Sequence, residues 1–165
     1  EKKMGTMELL MTLPVKDGEI VIGKFLAAFL FLANTVLLTF TFPLTLYYLG
    51  QPDLGPILGG YIGALLMGAA YLSIGLFISS LTENQIVAFI LSVFACFGLF
   101  IIGEPIVLTA LPGWLAGFFS FLGLGSHFQS IGRGVIDSRD IIYYLSVIIF
   151  FLFLNTRFVE SRKWR

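Results

Sequence analysis

From residue 25 onward the chain alternates between long apolar runs and short breaks rich in glycine, proline or polar residues. Runs of about 20 apolar residues are what a bilayer core requires, and residues 25–49, 57–80, 86–103 and 141–155 read as four such spans. The pattern predicts an all-α, polytopic integral membrane protein. Pro43 lies in the outer half of the first span and should kink it, with Thr39 and Thr41 placed to hydrogen-bond the freed backbone. Tyr47 and Tyr48 fall where an interfacial aromatic belt belongs. The break at 50–56, GQPDLGP, is a tight polar turn. In the second span Gly60, Ala64 and Gly68 form a ladder of small residues, with Gly59 and Gly63 beside it. Such a stripe lets a neighbouring helix approach closely, within one subunit or between two. The next break, SSLTENQ at 79–85, offers Thr82 and Gln85 as a capping box for the third span.

Residues 1–24 differ, because charged and apolar residues are interleaved there. Gly5 and Thr6 can start a helix, Thr6 capping the backbone N–H groups. Residues 7–13 read as a short helix ended by Pro14. Met4, Met7, Leu10 and Met11 fall near one face, with Glu8 and Thr12 away from it, and the methionines make that face adaptable. Asp17 can cap a second helix that passes through Ile20, Val21 and Ile22 into the first span. Such a leader is either an interfacial anchor or a docking surface for a soluble partner. GEIVIGKF at 18–25 resembles a phosphate loop but is not one: Phe25 stands where a hydroxyl must hold Mg²⁺, and the segment runs into a span.

The stretch 106–140 decides the topology. Eight of the ten basic residues (Lys2, Lys3, Lys16, Lys24, Arg157, Arg162, Lys163, Arg165) lie at the chain ends. The positive-inside rule then puts both ends in the cytoplasm, which needs an even number of crossings. Residues 106–124, interrupted by Leu111-Pro112-Gly113, are therefore expected to be re-entrant or interfacial on the outer side, and 126–140 interfacial. Phe128, Ile131 and Val135 share a face there, and Arg133 and Asp137 are spaced to pair. A carboxylate inside a bilayer costs at least ~2.5 kcal/mol; Pro105 puts Glu104 near the end of its run, so snorkelling to the interface is expected. His127, Asp137 and Asp140 match no known metal-ligand spacing. Polar residues on an aqueous face account for them, with Asp137 and Asp140 capping the last span. Residues 156–165 form a basic, tryptophan-containing cytosolic tail.

Composition agrees with membrane residence: 58% of residues are hydrophobic and only 12% charged, about half the charged fraction of a soluble domain. Formal net charge is zero, so bulk charge gives no reason to expect nucleic acid as a partner. The single cysteine, Cys96, lies within an apolar run and forms no intramolecular disulfide. The chain starts without methionine inside a polar segment, which reads as a start within a longer protein.

The leader EKKMGTMELLMTLPV at 1–15 followed by Gly23-Lys24, then SSLTENQ at 79–85, then His127-Phe128, Gly134 to Asp137 and Asp140, together resemble a known family. They are similar to the membrane subunit of an ATP-binding-cassette transporter of the ABC-2 class, nearest to the gliding-motility-associated (GldF-like) permeases. The resemblance implies six spans per subunit, of which this chain would hold the last four and lack the first two. It also implies a bacterial inner-membrane location, paired outer half-helices before the last span, and a second permease subunit, identical or different. It implies no catalysis in this chain and no cofactor of its own, ATP and Mg being bound by a separate cytosolic ATPase. On that resemblance the leader is the coupling element: Gly5, Thr6 and Pro14 delimit its helix, Leu9, Leu10 and Leu13 fill an ATPase cleft, and Glu8 pairs with a basic residue there. The expected function is a permease, in this class an exporter. Two other readings stand beside it: a membrane anchor that uses the same leader and glycine stripe to recruit a partner without transport, and an intramembrane enzyme using His127, Asp137 or Glu104, which no sequence feature favours. No charged ring or aromatic cage marks a substrate.

Overall fold

The apolar runs fold as helices whose ends are set by proline, glycine and capping side chains. The computed structural model describes residues 17–50 and 52–163. Among them are α1 (Asp17–Leu38), α2 (Thr41–Leu49), α3 (Leu54–Leu81), α4 (Gln85–Ile101), α5 (Pro105–Thr109), α6 (Gly113–Leu122), α7 (Leu124–Gly132) and α8 (Ser138–Lys163). Among the described residues three stretches are long and apolar enough to cross a membrane: Gly18–Leu49, Leu54–Leu81 and Ser138–Ser161. α4 is equally apolar but shorter, at 17 residues.

The break between α1 and α2 falls where Pro43 demands it. Proline has no N–H for the carbonyl four residues back, so Thr39 O receives Phe42 N instead, at 3.0 Å. Thr39 and Phe40 donate three residues back as well, tightening the turn. Thr39 Oγ1 donates to Val36 O at 2.7 Å and Thr41 Oγ1 to Leu38 O at 3.3 Å, the backbone rescue expected from the sequence. The break docks on α3 through Tyr61, whose ring meets Phe40 edge-on and whose hydroxyl lies 3.1 Å from Thr39 Oγ1.

Caps explain the other starts. Asp53 accepts from Gly55 N at the start of α3. At α4 the cap is Asn84, not the Thr82–Gln85 box: Asn84 is extended, immediately precedes the helix, and accepts from Ile86 N at 3.0 Å. Thr82 lies too early for that role and holds the turn by accepting from Asn84 N. Asp137 caps α8 by accepting from Arg139 N at 3.0 Å, which uses its side chain for the helix rather than for Arg133. α7 ends at Gly132, so Val135 lies beyond the face it was expected to share with Phe128 and Ile131, and it is exposed.

α3 is the central helix, packed against α1, α4, α7 and α8. The core joins Ala69, Ala70 and Ile74 of α3 to Leu124 and Ile131 of α7 and to Tyr143, Tyr144 and Ile148 of α8. Outward faces carry bare apolar side chains, among them Leu30, Phe31, Phe89 and Phe94. Lipid solvates such faces as well as a protein core does, so helix association rests on close packing instead. Gly59 and Gly63 supply it. A Cβ on Gly59 would collide with the Ile131 carbonyl, and one on Gly63 would press on the Phe128 ring at 3.1 Å. Gly134, with φ +84°, returns the chain against Gly55 and Pro56.

Gly59 and Gly60 should therefore respond oppositely. Gly59→Ala should destabilise the chain by about 1–3 kcal/mol through forced separation of α3 and α7. Gly60, with nothing within 4 Å of a new Cβ, should tolerate alanine or gain up to about 1 kcal/mol. Apparent melting temperatures of the two variants in detergent check this.

Candidate functional site

A helix ending inside a packed protein leaves its last four carbonyls without intrahelical donors. For α6 these belong to Phe119, Ser120, Phe121 and Leu122, and the chain breaks immediately after them at Gly123, whose backbone is extended. Each carbonyl has a donor. Gly123 N reaches Phe119 O at 2.9 Å. Ser126 Oγ reaches Ser120 O at 2.7 Å and shares its proton with Gly123 O at 2.8 Å. His127 Nε2 donates to Phe121 O at 3.0 Å, and the Tyr143 hydroxyl donates to Leu122 O. One residue further, the Tyr144 hydroxyl donates to Leu124 O at 2.7 Å.

The corner between α6 and α7 is thus closed by side chains from α7 and α8. It is also seated on the end of α4. A Cβ on Gly103 would lie 2.8 Å from Gly123 Cα, so only two glycines allow this backbone crossing. Ser126 Oγ would lie 3.0 Å from the same Cβ.

Within the corner, His127 and Asp140 form a close pair, Nδ1 to Oδ1 at 2.6 Å, with side chains only 13% and 9% exposed. Burial corrects the expectation that both sit on an aqueous face. Tyr143 stacks on the imidazole, ring centres 4.0 Å apart and planes 20° apart, while Phe121 and Tyr144 approach it edge-on. Asp140 lies in the first turn of α8, where the helix dipole favours a carboxylate. Its Oδ2 is buried and has no hydrogen-bond partner among the described residues. The tautomer follows from the network. A carbonyl only accepts, so Nε2 carries a proton, and a further proton must lie between Nδ1 and Oδ1.

Glu104 is half-buried beside α7, its two oxygens accepting from Gln129 Nε2 at 3.2 and 3.1 Å. A Cβ on Gly125 of α7 would meet the same carboxylate. Asp137 is exposed and serves only as a cap. No group of three His, Cys, Asp or Glu side chains among the described residues could hold a metal ion.

The residues assigned to ATPase coupling, Gly5, Thr6, Glu8, Leu9, Leu10, Leu13 and Pro14, lie outside the described residues. Of the ladder on α3, Gly68 meets Leu32 of α1, Ala64 is half-buried, and Gly60 faces open space. The structure brings together His127 and Asp140, thirteen residues apart in sequence, with Ser126, Tyr143 and Tyr144, which sequence reasoning passed over. The available signal was two tyrosines one turn into an apolar helix, whose hydroxyls must find acceptors when buried.

Removing one donor should leave a partly buried carbonyl unsatisfied. Tyr143→Phe should destabilise the chain by about 1–3 kcal/mol with unchanged helix content, read from thermal unfolding followed by circular dichroism.

A family model described as ABC-2 family transporter protein matches residues 1–121. No curated protein and no solved structure matches the chain.

Proposed function

Because the chain belongs to the ABC-2 family of transporter proteins, we propose that it is the membrane-embedded permease subunit of an ATP-driven transporter, and that it works as an exporter. The observation that carries this is the family match across residues 1–121, which includes the leader and the apolar helices α1 to α5. The reading is of a non-catalytic membrane body coupled to a separate cytosolic ABC ATPase that binds ATP and Mg, with a second permease subunit completing the translocation unit in a bacterial inner membrane.

In this reading α4 is the fourth crossing. Its 17 residues span roughly 25 Å, a little short of the ~30 Å hydrocarbon core. Four crossings would keep the basic residues of both ends on the cytoplasmic side. The stretch 106–140, holding α5, α6 and α7, would then stay on the outer side, and Gly60 would remain available to the second subunit. The resemblance to GldF-like permeases extends the proposal to two further spans upstream of residue 1.

The leader supplies the coupling. In this proposal Leu9, Leu10 and Leu13 enter the ATPase cleft and Glu8 faces a basic residue there, so that the leader passes a push from the ATPase to the membrane body. The direct test is purification of the complete protein with its ATPase, followed by substrate-stimulated ATP hydrolysis in nanodiscs. Glu8→Lys should weaken ATPase association roughly five- to thirtyfold, the equivalent of about 1–2 kcal/mol, and reduce ATP-dependent transport while leaving membrane insertion intact. Unchanged association and flux would remove the coupling assignment.

A further inference from the structure

His127 is the only histidine in the chain, and its ring does two structural tasks at once. Nε2 closes one of the four orphan carbonyls of α6, and Nδ1 meets a carboxylate held at the start of α8. Both contacts need a proton, one on each ring nitrogen or the second on Asp140. A neutral ring facing an ionised carboxylate cannot satisfy both. With its proton on Nε2 it sets a lone pair against Oδ1 at 2.6 Å; with its proton on Nδ1 it abandons Phe121 O.

We propose that the His127–Asp140 pair is a proton-operated latch on the α6–α7 corner: one shared proton lets His127 hold Phe121 of α6 and Asp140 of α8 at once, and its loss breaks one of these two contacts and loosens the corner. The pair is suited to this because its surroundings cannot substitute for the missing proton. On α8, Asp140, Tyr143 and Tyr144 face the ring, and both hydroxyls are already committed to Leu122 and Leu124 carbonyls. On α6 the ring meets the carbonyl and ring of Phe121. α3 and α4 contribute Tyr71 and Cys96 to the adjoining core. Glu104, at the start of α5, faces the Gly125 and Gln129 side of α7 and is engaged by Gln129. Arg133, Asp137 and Arg139 are exposed. The unpartnered Asp140 Oδ2 leaves the carboxylate with His127 as its hydrogen-bonded partner among the described residues. Losing the shared proton therefore either sets an ionised carboxylate against a lone pair in a buried site or breaks the bond to Phe121 O.

The single histidine makes the test direct. The chain is labelled with ¹⁵N-histidine and reconstituted in nanodiscs, and its ring nitrogens are followed by NMR between about pH 5 and 9. Amide hydrogen exchange of residues 119–127 is followed over the same interval. The latch predicts that exchange in 119–127, corrected for its intrinsic pH dependence, rises roughly tenfold across the interval in which the ring loses a proton. Asp140→Asn should abolish that step, because an amide NH₂ donating to Nδ1 lets the neutral ring keep its bond to Phe121 O. A ring that changes protonation without any change in exchange overturns the proposal. So does a ring that keeps one protonation state throughout, or an Asp140→Asn protein that retains the step. If that variant does not fold, the two curves of the unmodified protein decide.

Discussion

A helix end must find donors for its last carbonyls, and in this protein that requirement is met at the end of α6 largely by side chains drawn from two other elements. Ser126 and His127 come from α7, and Tyr143 comes from α8. Lipid would offer no substitute, since hydrocarbon supplies no hydrogen-bond donors. The constraint therefore fixes α8 in position relative to the corner, and the corner relative to α4 through the Gly103–Gly123 crossing. Four helices, α4, α6, α7 and α8, meet at one point through hydrogen bonds and backbone contact.

The remaining assembly depends on α3. Its glycine row at Gly59 and Gly63 receives α7, and its Ala69, Ala70 and Ile74 face receives α8. Hydrophobic burial gives little drive for association in a bilayer, so small residues and complementary surfaces carry it. The result is one packed body in which α7 touches both long helices that flank it. Under the proposed coupling, a push entering through α1 would reach the α6–α7 corner by way of α3, which packs against both α1 and α7.

Much of this was legible from residues alone. Hydropathy located the long helices, Pro43 with Thr39 and Thr41 located the break after α1, and Asp137 located the start of α8. What escaped depended on contacts across the fold. The capping residue before α4 moved from Thr82 to Asn84, because capping turns on local backbone geometry that composition does not specify. The pairing of His127 with Asp140 crosses the turn between α7 and α8 and follows no helical period, so each residue alone looked like an ordinary polar surface group. Both glycine rows of α3 were visible, but which neighbour each row meets depends on helix order in space. The family resemblance read from the leader and the later motifs agrees at the level of the ABC-2 class.

The account rests on the closure of the α6 carbonyls by side-chain donors. Isotope-edited infrared spectroscopy of the chain in nanodiscs, with ¹³C=¹⁸O placed at Phe121 and Leu122 in turn, reads that closure directly. Both bands should lie at the lowered frequency of a hydrogen-bonded amide and should resist exchange into deuterated buffer, as buried bonds do. Bands at the frequency of a free carbonyl, or bands that follow the solvent, would contradict it.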